Sequence, residues 1–545
     1  MTWIAPLMPH LLVVPILLPM LAAGVMLAFG EGHRDIKSRI SLVVTSANIV
    51  VALALAVWVH AHGPVAYLMG NWPAPFGIVL VVDRLSAVMV LLAAVVALCA
   101  VLFSSARWDK AGVHYYPLAM LLLMGLSGAF LTGDLFNLYV YFEILLAASY
   151  GLLLHGSGRQ RVSASVHYVA VNLAASSLFL IGATTIYGVT GTLNMADLVQ
   201  RVVEVPAADR WLLHVGAGVL SVAFLAKAAA WPLNFWLVPA YSSATAPVAA
   251  YFAIMTKVGF YSVIRMASLI YAESPEQFGR AGLFALGVVT AILGALGMVG
   301  TLKLARLASY GVMVSSGTLI AAFGLQHWEI TGGAIFYLVS SVLGACALYL
   351  LIDLIERWQN LGATLEDDAP FLAASFADDQ NVNLDDDEER LIGRSFPAST
   401  AFLALAFLVC TLMIAGLPPL SSFVGKVAML SASLTLGGNA ADDAGKIWVF
   451  MAVLLGTGLL SLIALTRAGI RTFWATPLRE GPRLRLAEGL PVGLLLLTAL
   501  AITAAANPIL EYVNGAAKSL YYPGAYVESV MRAPIVPPPG AKETP

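Results

Sequence analysis

What most constrains this 545-residue chain is the length of its apolar runs. In hydrocarbon every backbone N–H and C=O must be satisfied internally, so only helices and closed barrels cross a bilayer. A crossing helix takes roughly 20 apolar residues, whereas a barrel strand shows about 10 alternating ones. Here the runs are continuous and begin near Leu7, Ile40, Ile78, Tyr116, Leu135, Ser163, Trp211, Ala246, Ala281, Leu304, Gly332, Ala398, Ile447 and Leu490. They predict an all-α polytopic membrane protein with about 14 transmembrane helices. Hydrophobic residues supply 60% of the chain and charged residues only 11%, more apolar surface than a soluble core needs. The opening MTWIAPLMPHLLVVPILLPM lacks a basic leader and reads as the first transmembrane helix. The boundary least defined by hydropathy is LTGDLFN, between the fourth and fifth runs.

Basic residues mark one side. Arg34, Lys37 and Arg39 follow the first run, Arg107 and Lys110 the third, and Arg159 and Arg161 the fifth. Lys303 and Arg306 start the tenth, and Arg467, Arg471, Arg479, Arg483 and Arg485 follow the thirteenth. An N-terminus facing outward places all of them in the cytoplasm. An even span count returns the C-terminal IVPPPGAKETP to the outside. The same parity makes the insert 360–396 a cytoplasmic loop. Its stretch Glu366–Glu389 holds ten acidic residues and no basic one, the composition of a solvated loop; a docking or cation-concentrating surface is the other reading.

Four charges lie inside apolar runs, where each costs at least ~2.5–3.5 kcal/mol on insertion scales. They are Glu143 in LFNLYVYFEILLAASY, Lys227 in VLSVAFLAKAAAWPL, Lys257 in AYFAIMTKVGFY and Lys426 in LPPLSSFVGKVAML. Burial lowers a lysine's proton affinity and a nearby carboxylate restores it, so Glu143 and Lys227 read as a tunable pair. Lys257 is then the acceptor and Lys426 the terminal site. His167, Ser242, Ser243, Tyr251, Thr256, Tyr337, Ser340 and Ser341 are possible polar steps. For His167 a hydrogen-bonded core histidine is the competing reading.

Proline interrupts two spans. The seventh carries Pro232, Pro239 and Pro247 and the twelfth Pro418 and Pro419, which predicts kinked or unwound helices at both places. Five spans separate them, so the two cross in opposite directions, the pattern of an inverted-repeat transporter. The chain then divides into residues 1–115 (helices one to three), 116–271 (four to eight, the first repeat), 281–468 (nine to thirteen, the second repeat) and 489–545 (the last helix and an extramembrane tail). Cys99, Cys346 and Cys410 sit singly in apolar runs and form neither a disulfide framework nor a metal site. Walker, dinucleotide-binding, HExxH and CxxC motifs are absent, so neither an enzyme nor a cofactor is expected. A net charge of −2 gives no reason to expect nucleic acid.

The stretches TGDLFNLYVYFEILLAASYGLLLHG, AKAAAWPLNFWLVPAYSSATAPVAAYFAIMTKVGFY and AGLPPLSSFVGK together resemble the antiporter-like subunits of proton-translocating membrane complexes. That superfamily covers proton-pumping subunits of respiratory complex I and large subunits of Mrp-type antiporters. GDLFNLYVYFE is similar to the D-type subunits of multisubunit Na+(K+)/H+ antiporters, and the acidic insert to their Pha form. The resemblance implies a proton path through Glu143, Lys227, Lys257 and Lys426. It also implies partners, an A-type large subunit and small membrane subunits, exchange of H+ for Na+ or K+, and a bacterial inner membrane with both termini periplasmic. The eleventh run departs from the family, because GAIFYLVSSVLGACALYLL lacks the histidines and lysine of many relatives. A link between the halves there must use Tyr337, Ser340, Ser341 or water. A redox-driven pump subunit with the same path, and a scaffold whose lysines are ion-pair locks, are the alternatives.

Overall fold

The structure, a computed structural model, describes residues 8–271, 279–367, 397–437, 443–473 and 484–535. Most of the acidic insert, Arg479, Arg483 and most of the proline-rich tail lie outside them. Twelve helices among the described residues are long and apolar enough to cross a membrane, and two predicted runs form shorter apolar helices, α1 (Val14–Ala28) and α4 (Tyr115–Leu131). Between these, α2 is Arg34–His62 and α3 Arg84–Ser105. Then follow α5 (Leu135–Leu153), α6 (Arg159–Thr190) and a seventh span broken into α7 (Arg210–Lys227) and α8 (Leu237–Ser243). Next come α9 (Ala246–Ile270), α10 (Arg280–Gly300), α11 (Leu304–Gly324) and α12 (Trp328–Asp367). The twelfth span is broken into α13 (Ala398–Ala415) and α14 (Ser421–Gly437), and α15 (Ala444–Phe473) and α16 (Leu486–Ala504) complete the bundle.

Three helices form the centre. The apolar windows of α9, α11 and α12 are 94%, 89% and 89% buried, against 33% for α2 and 39% for α10. A lipid-facing helix gains nothing from burying Leu, so buried positions are where small and polar residues collect. The central helices follow that rule: Lys257, Ser315, Ser316 and Ser340 are all buried there.

Three departures from the expectation have local causes. The third run does not begin as helix at Ile78. Val79–Val82 is a strand, β2, paired antiparallel with β1 (Val65–Leu68), because β-branched residues favour the pleat and Asp83 restarts the chain as a helix cap. The hinge LTGDLFN is a true boundary: Gly133 N–H bonds Val79 O, and Asp134 caps α5 by accepting from Asn137 N–H. Beyond α16 the chain is not all tail. It forms α17 (Ala506–Tyr521), whose Val513, Ala516, Ala517 and Leu520 are buried, with α12 and α3 as neighbours, and α18 (Gly524–Met531).

A buried ion pair ties this end together. Arg265 Nη1 lies 2.7 Å from Asp83 Oδ2, with both side chains almost fully buried, and its guanidinium stands 5.1 Å from the Tyr526 ring. Removing one partner would strand the other charge at a cost of about 3–5 kcal/mol.

Candidate functional site

Both broken spans stop in the same way. At the end of α7, Ala229 takes a left-handed φ of 53° and Ala230 N–H returns to Leu225 O. At the end of α13, Gly416 takes φ 76° and Leu417 N–H returns to Leu412 O. Each is the left-handed turn that closes a helix C-terminus. Pro232 and Pro419 follow in the connecting segments, and Pro418 precedes Pro419 there. Pro239 and Pro247 break nothing. They occupy the first turns of α8 and α9, where a missing N–H is harmless.

The two lysines next to the breaks differ in what they touch. Lys426, six residues into the sequence of α14, reaches back so that Nζ donates to Ala415 O at 2.7 Å, a carbonyl left free by the end of α13. Its ammonium stands 5.9 Å from the Tyr337 ring centroid. Lys227 is the last residue of α7, buried, with its Nζ 5.0 Å from the Phe142 ring centroid and no hydrogen-bond partner. Glu143 Oε1 is likewise buried and unpartnered. The expected Glu143–Lys227 pair is therefore not in contact. Successive residues on a helix point about 100° apart, so α5 turns the Phe142 ring toward Lys227 and Glu143 onto the adjoining, half-buried face. A 30 Å³ cavity lined by Lys227, Phe142, Tyr168 and Asn172 leaves room for about one water.

At the centre, Lys257 Nζ donates to Ser315 Oγ and Ser316 Oγ, both at 3.0 Å. Ser315 Oγ donates on to Ser341 Oγ at 2.8 Å, and Ser341 donates to Leu338 O. The Tyr337 hydroxyl also interacts with Ser315 and with Thr318. One hydroxyl on α11 thus connects the α9 lysine to α12, whose Tyr337 ring lies beside Lys426. Ser315, Ser316 and Thr318 are residues that sequence reasoning missed, although VMVSSGTLI shows them as a polar cluster at mid-span.

The remaining candidates do not join this chain. Ser340 bonds Phe336 O, Thr256 bonds Ala253 O, and Tyr251 bonds Ala97 O at 3.4 Å. His167 is not a core histidine. It is exposed, its Nδ1 lies 3.0 Å from Ser163 O, and it lines a polar cleft with Ser242 and Ser243. Among the described residues no group of three or more His, Cys, Asp or Glu could hold a metal ion.

An apolar helical bundle with lysines and hydroxyls at its centre defines a polytopic membrane protein with an ionisable interior. The chain belongs to the family described as "NADH:quinone oxidoreductase/Mrp antiporter, TM", which matches residues 132–452. It is 45% identical to a probable K+/H+ antiporter D-type subunit of Rhizobium meliloti, over 96% of this chain and 98% of that one. It is 32% identical to the Na+/H+ antiporter D-type subunit of Alkalihalophilus pseudofirmus, over 96% and 100%. Among solved structures, the Mrp complex from Dietzia sp. contains a chain matching with a TM-score of 0.82 at 26% identity, covering 96% of this chain and 99% of that one. Respiratory complex I from Thermus thermophilus shares the fold, with a TM-score of 0.74 at 20% identity over 94% and 99%. The resemblance read from the sequence is borne out.

Proposed function

We propose that this chain is the proton-translocating D-type subunit of a multisubunit monovalent cation/H+ antiporter, exchanging H+ for Na+ or K+. The observation that carries the reading is the buried chain Lys257–Ser315–Ser341, with Tyr337 between it and Lys426. Alternating amines and hydroxyls pass a proton by exchanging donor and acceptor roles, and an unsatisfied amine such as Lys227 has the most to gain by moving. Glu143 and Lys227 supply the entry, Lys257 the middle and Lys426 the end. Residues 116–271 and 281–468 act as the two repeats. The names of the relatives, each a D-type subunit of an antiporter, support subunit partners; on this reading they are an A-type large subunit and small membrane subunits. A bacterial inner membrane with both termini periplasmic fits the basic side read from the loops.

The test is exchange by the intact complex in inverted vesicles, read as dissipation of a proton gradient on adding sodium or potassium. Lys426→Ala and Glu143→Gln each leave the complex assembled and abolish exchange with both cations. Full activity in either variant would reject the path, and loss of assembly would favour the scaffold. A redox-driven pump has the fold likeness to complex I in its favour. Flavin or iron–sulfur subunits co-purifying with the complex would establish that reading instead.

A further inference from the structure

A cleft of about 1320 Å³ lies away from the lysine chain. It exceeds the roughly 300–1,000 Å³ of an ordinary small-molecule pocket. Four cations line it: Arg159 at the start of α6, Lys303 and Arg306 at the start of α11, and Arg471 at the end of α15. All four are exposed, none takes part in an ion pair among the described residues, and Glu356 is the one carboxylate in the lining. Loop anchoring accounts for the side on which these residues lie but not for their convergence on one cleft from three helices.

Two further features specify what fits. Arg159 and Leu304, the first residues of α6 and α11, line the cleft, and neither helix start has a side-chain cap. Uncapped helix starts present free N–H groups and a positive dipole end to an anion. The same cleft has an apolar border, where Phe235 and Leu302 are 57% and 56% exposed. A free inorganic anion uses the cations and leaves that border bare. An anion attached to acyl chains uses both.

We infer that this cleft is a binding site for the phosphodiester of an anionic phospholipid, held by Arg159, Lys303, Arg306 and Arg471 with its first methylenes over Phe235 and Leu302. Basic pockets between transmembrane helices are suited to such headgroups. A lipid seated there bridges α6, α11 and α15 and sits against Ser242 and Ser243 of α8, beyond the break in the seventh span. The site stands independently of the transport reading.

The intact complex is placed in phosphatidylcholine nanodiscs containing spin-labelled phosphatidylglycerol, and the immobilised fraction is measured. Arg306→Gln with Arg471→Gln is expected to weaken retention roughly 25-fold, about five-fold per cation lost. Arg306→Lys with Arg471→Lys restores it, which separates lost charge from lost folding. Arg532→Gln, an exposed position just after α18, changes nothing. Equal retention in the double glutamine variant overturns the proposal. So does displacement by millimolar inorganic phosphate, which would make this a free-phosphate site.

Discussion

The two broken spans end their first halves with the same turn and use it to opposite effect. In the twelfth, the lysine lies beyond the break and folds back on Ala415 O, so a freed carbonyl and a buried ammonium satisfy each other. In the seventh, the lysine lies before the break and points at the Phe142 ring. There Ala226 O accepts from the Trp236 indole N–H instead, and the lysine has no hydrogen-bond partner. Each turn is also covered by a glycine of the following span. A Cβ on Gly259 of α9 would fall 2.5 Å from Ala228 N, and one on Gly458 of α15 would fall 3.0 Å from Ala415 O and 3.1 Å from Lys426 Nζ. Position relative to the break, not residue type, decides which lysine is anchored and which is poised to move.

The comparison breaks most visibly at those glycines. Gly259→Ala meets backbone that cannot yield and should cost about 3 kcal/mol, the upper end of ordinary overpacking. Gly458→Ala needs a shift of only a few tenths of an ångström and should cost about 1 kcal/mol. Thermal unfolding of the detergent-solubilised complex measures both, and equal losses would refute the difference between the two turns.

Next is Gly416→Ala, where a Cβ would lie 2.5 Å from Lys426 Cδ at a φ that already strains alanine. Lys426 can swing aside, so assembly survives while its bond to Ala415 O is lost; exchange falls about 100-fold, the equivalent of a hydrogen bond to a charged group. The reciprocal Ala229→Gly relieves a left-handed alanine, raises stability by about 1 kcal/mol and leaves exchange intact. Vesicle exchange and unfolding, measured on both variants, separate seat from strain.

Ser315→Ala tests whether the halves communicate through α11. It removes a partner of Lys257 and the donor to Ser341, while Ser316 still holds the lysine, so exchange should fall about tenfold with assembly unchanged. Wild-type exchange in this variant would leave the two halves without a protein link.

The smallest effect concerns the loop end of the second half. Asp443 lies 2.9 Å from Lys446 Nζ and 2.5 Å from Arg280 Nη2. The hydrogen bond from Lys446 and the Arg280 charge hold its carboxyl below the ordinary 3.8. A lowered folded-state value gives stability that is complete above the unfolded value and is lost as pH falls through the folded one. Because the cluster is partly exposed, the contribution is at most about 1 kcal/mol. Asp443→Asn should therefore lower the unfolding temperature at pH 7 and match wild type once the pH has fallen through the lowered folded-state value of the carboxyl. A gap persisting in acid would assign the effect to packing.

Much of this was readable from the chain because the signals are local. Run lengths located the spans, prolines located both breaks, and a charge in an apolar run stands out against the cost of burying it. The helix Ala506–Tyr521 was readable too, since Val513, Ala516, Ala517 and Leu520 carry the helical period inside what composition presents as a tail. Arg265 was a fifth charge within a span, and only its packing against Asp83, 182 positions earlier in the sequence, shows it to be a structural clamp. His167 illustrates the converse: an apolar run around a residue does not say whether it faces protein or the cleft.

The sequence by itself determined a polytopic helical membrane protein with two proline-broken spans and charges inside its apolar runs, because hydrocarbon tolerates only helices of a certain length and makes every charge costly. Tertiary structure decided which of those charges meet. It gave Glu143 and Lys227 no hydrogen bond to each other, gave Lys426 a carbonyl, and joined Lys257 to α12 through a serine with no distinguishing mark in the sequence beyond its neighbours. Hydrogen bonds reach about 3 Å, and helix rotation and approach, set by glycines and aromatic rings on other spans, place two polar atoms within that reach or outside it.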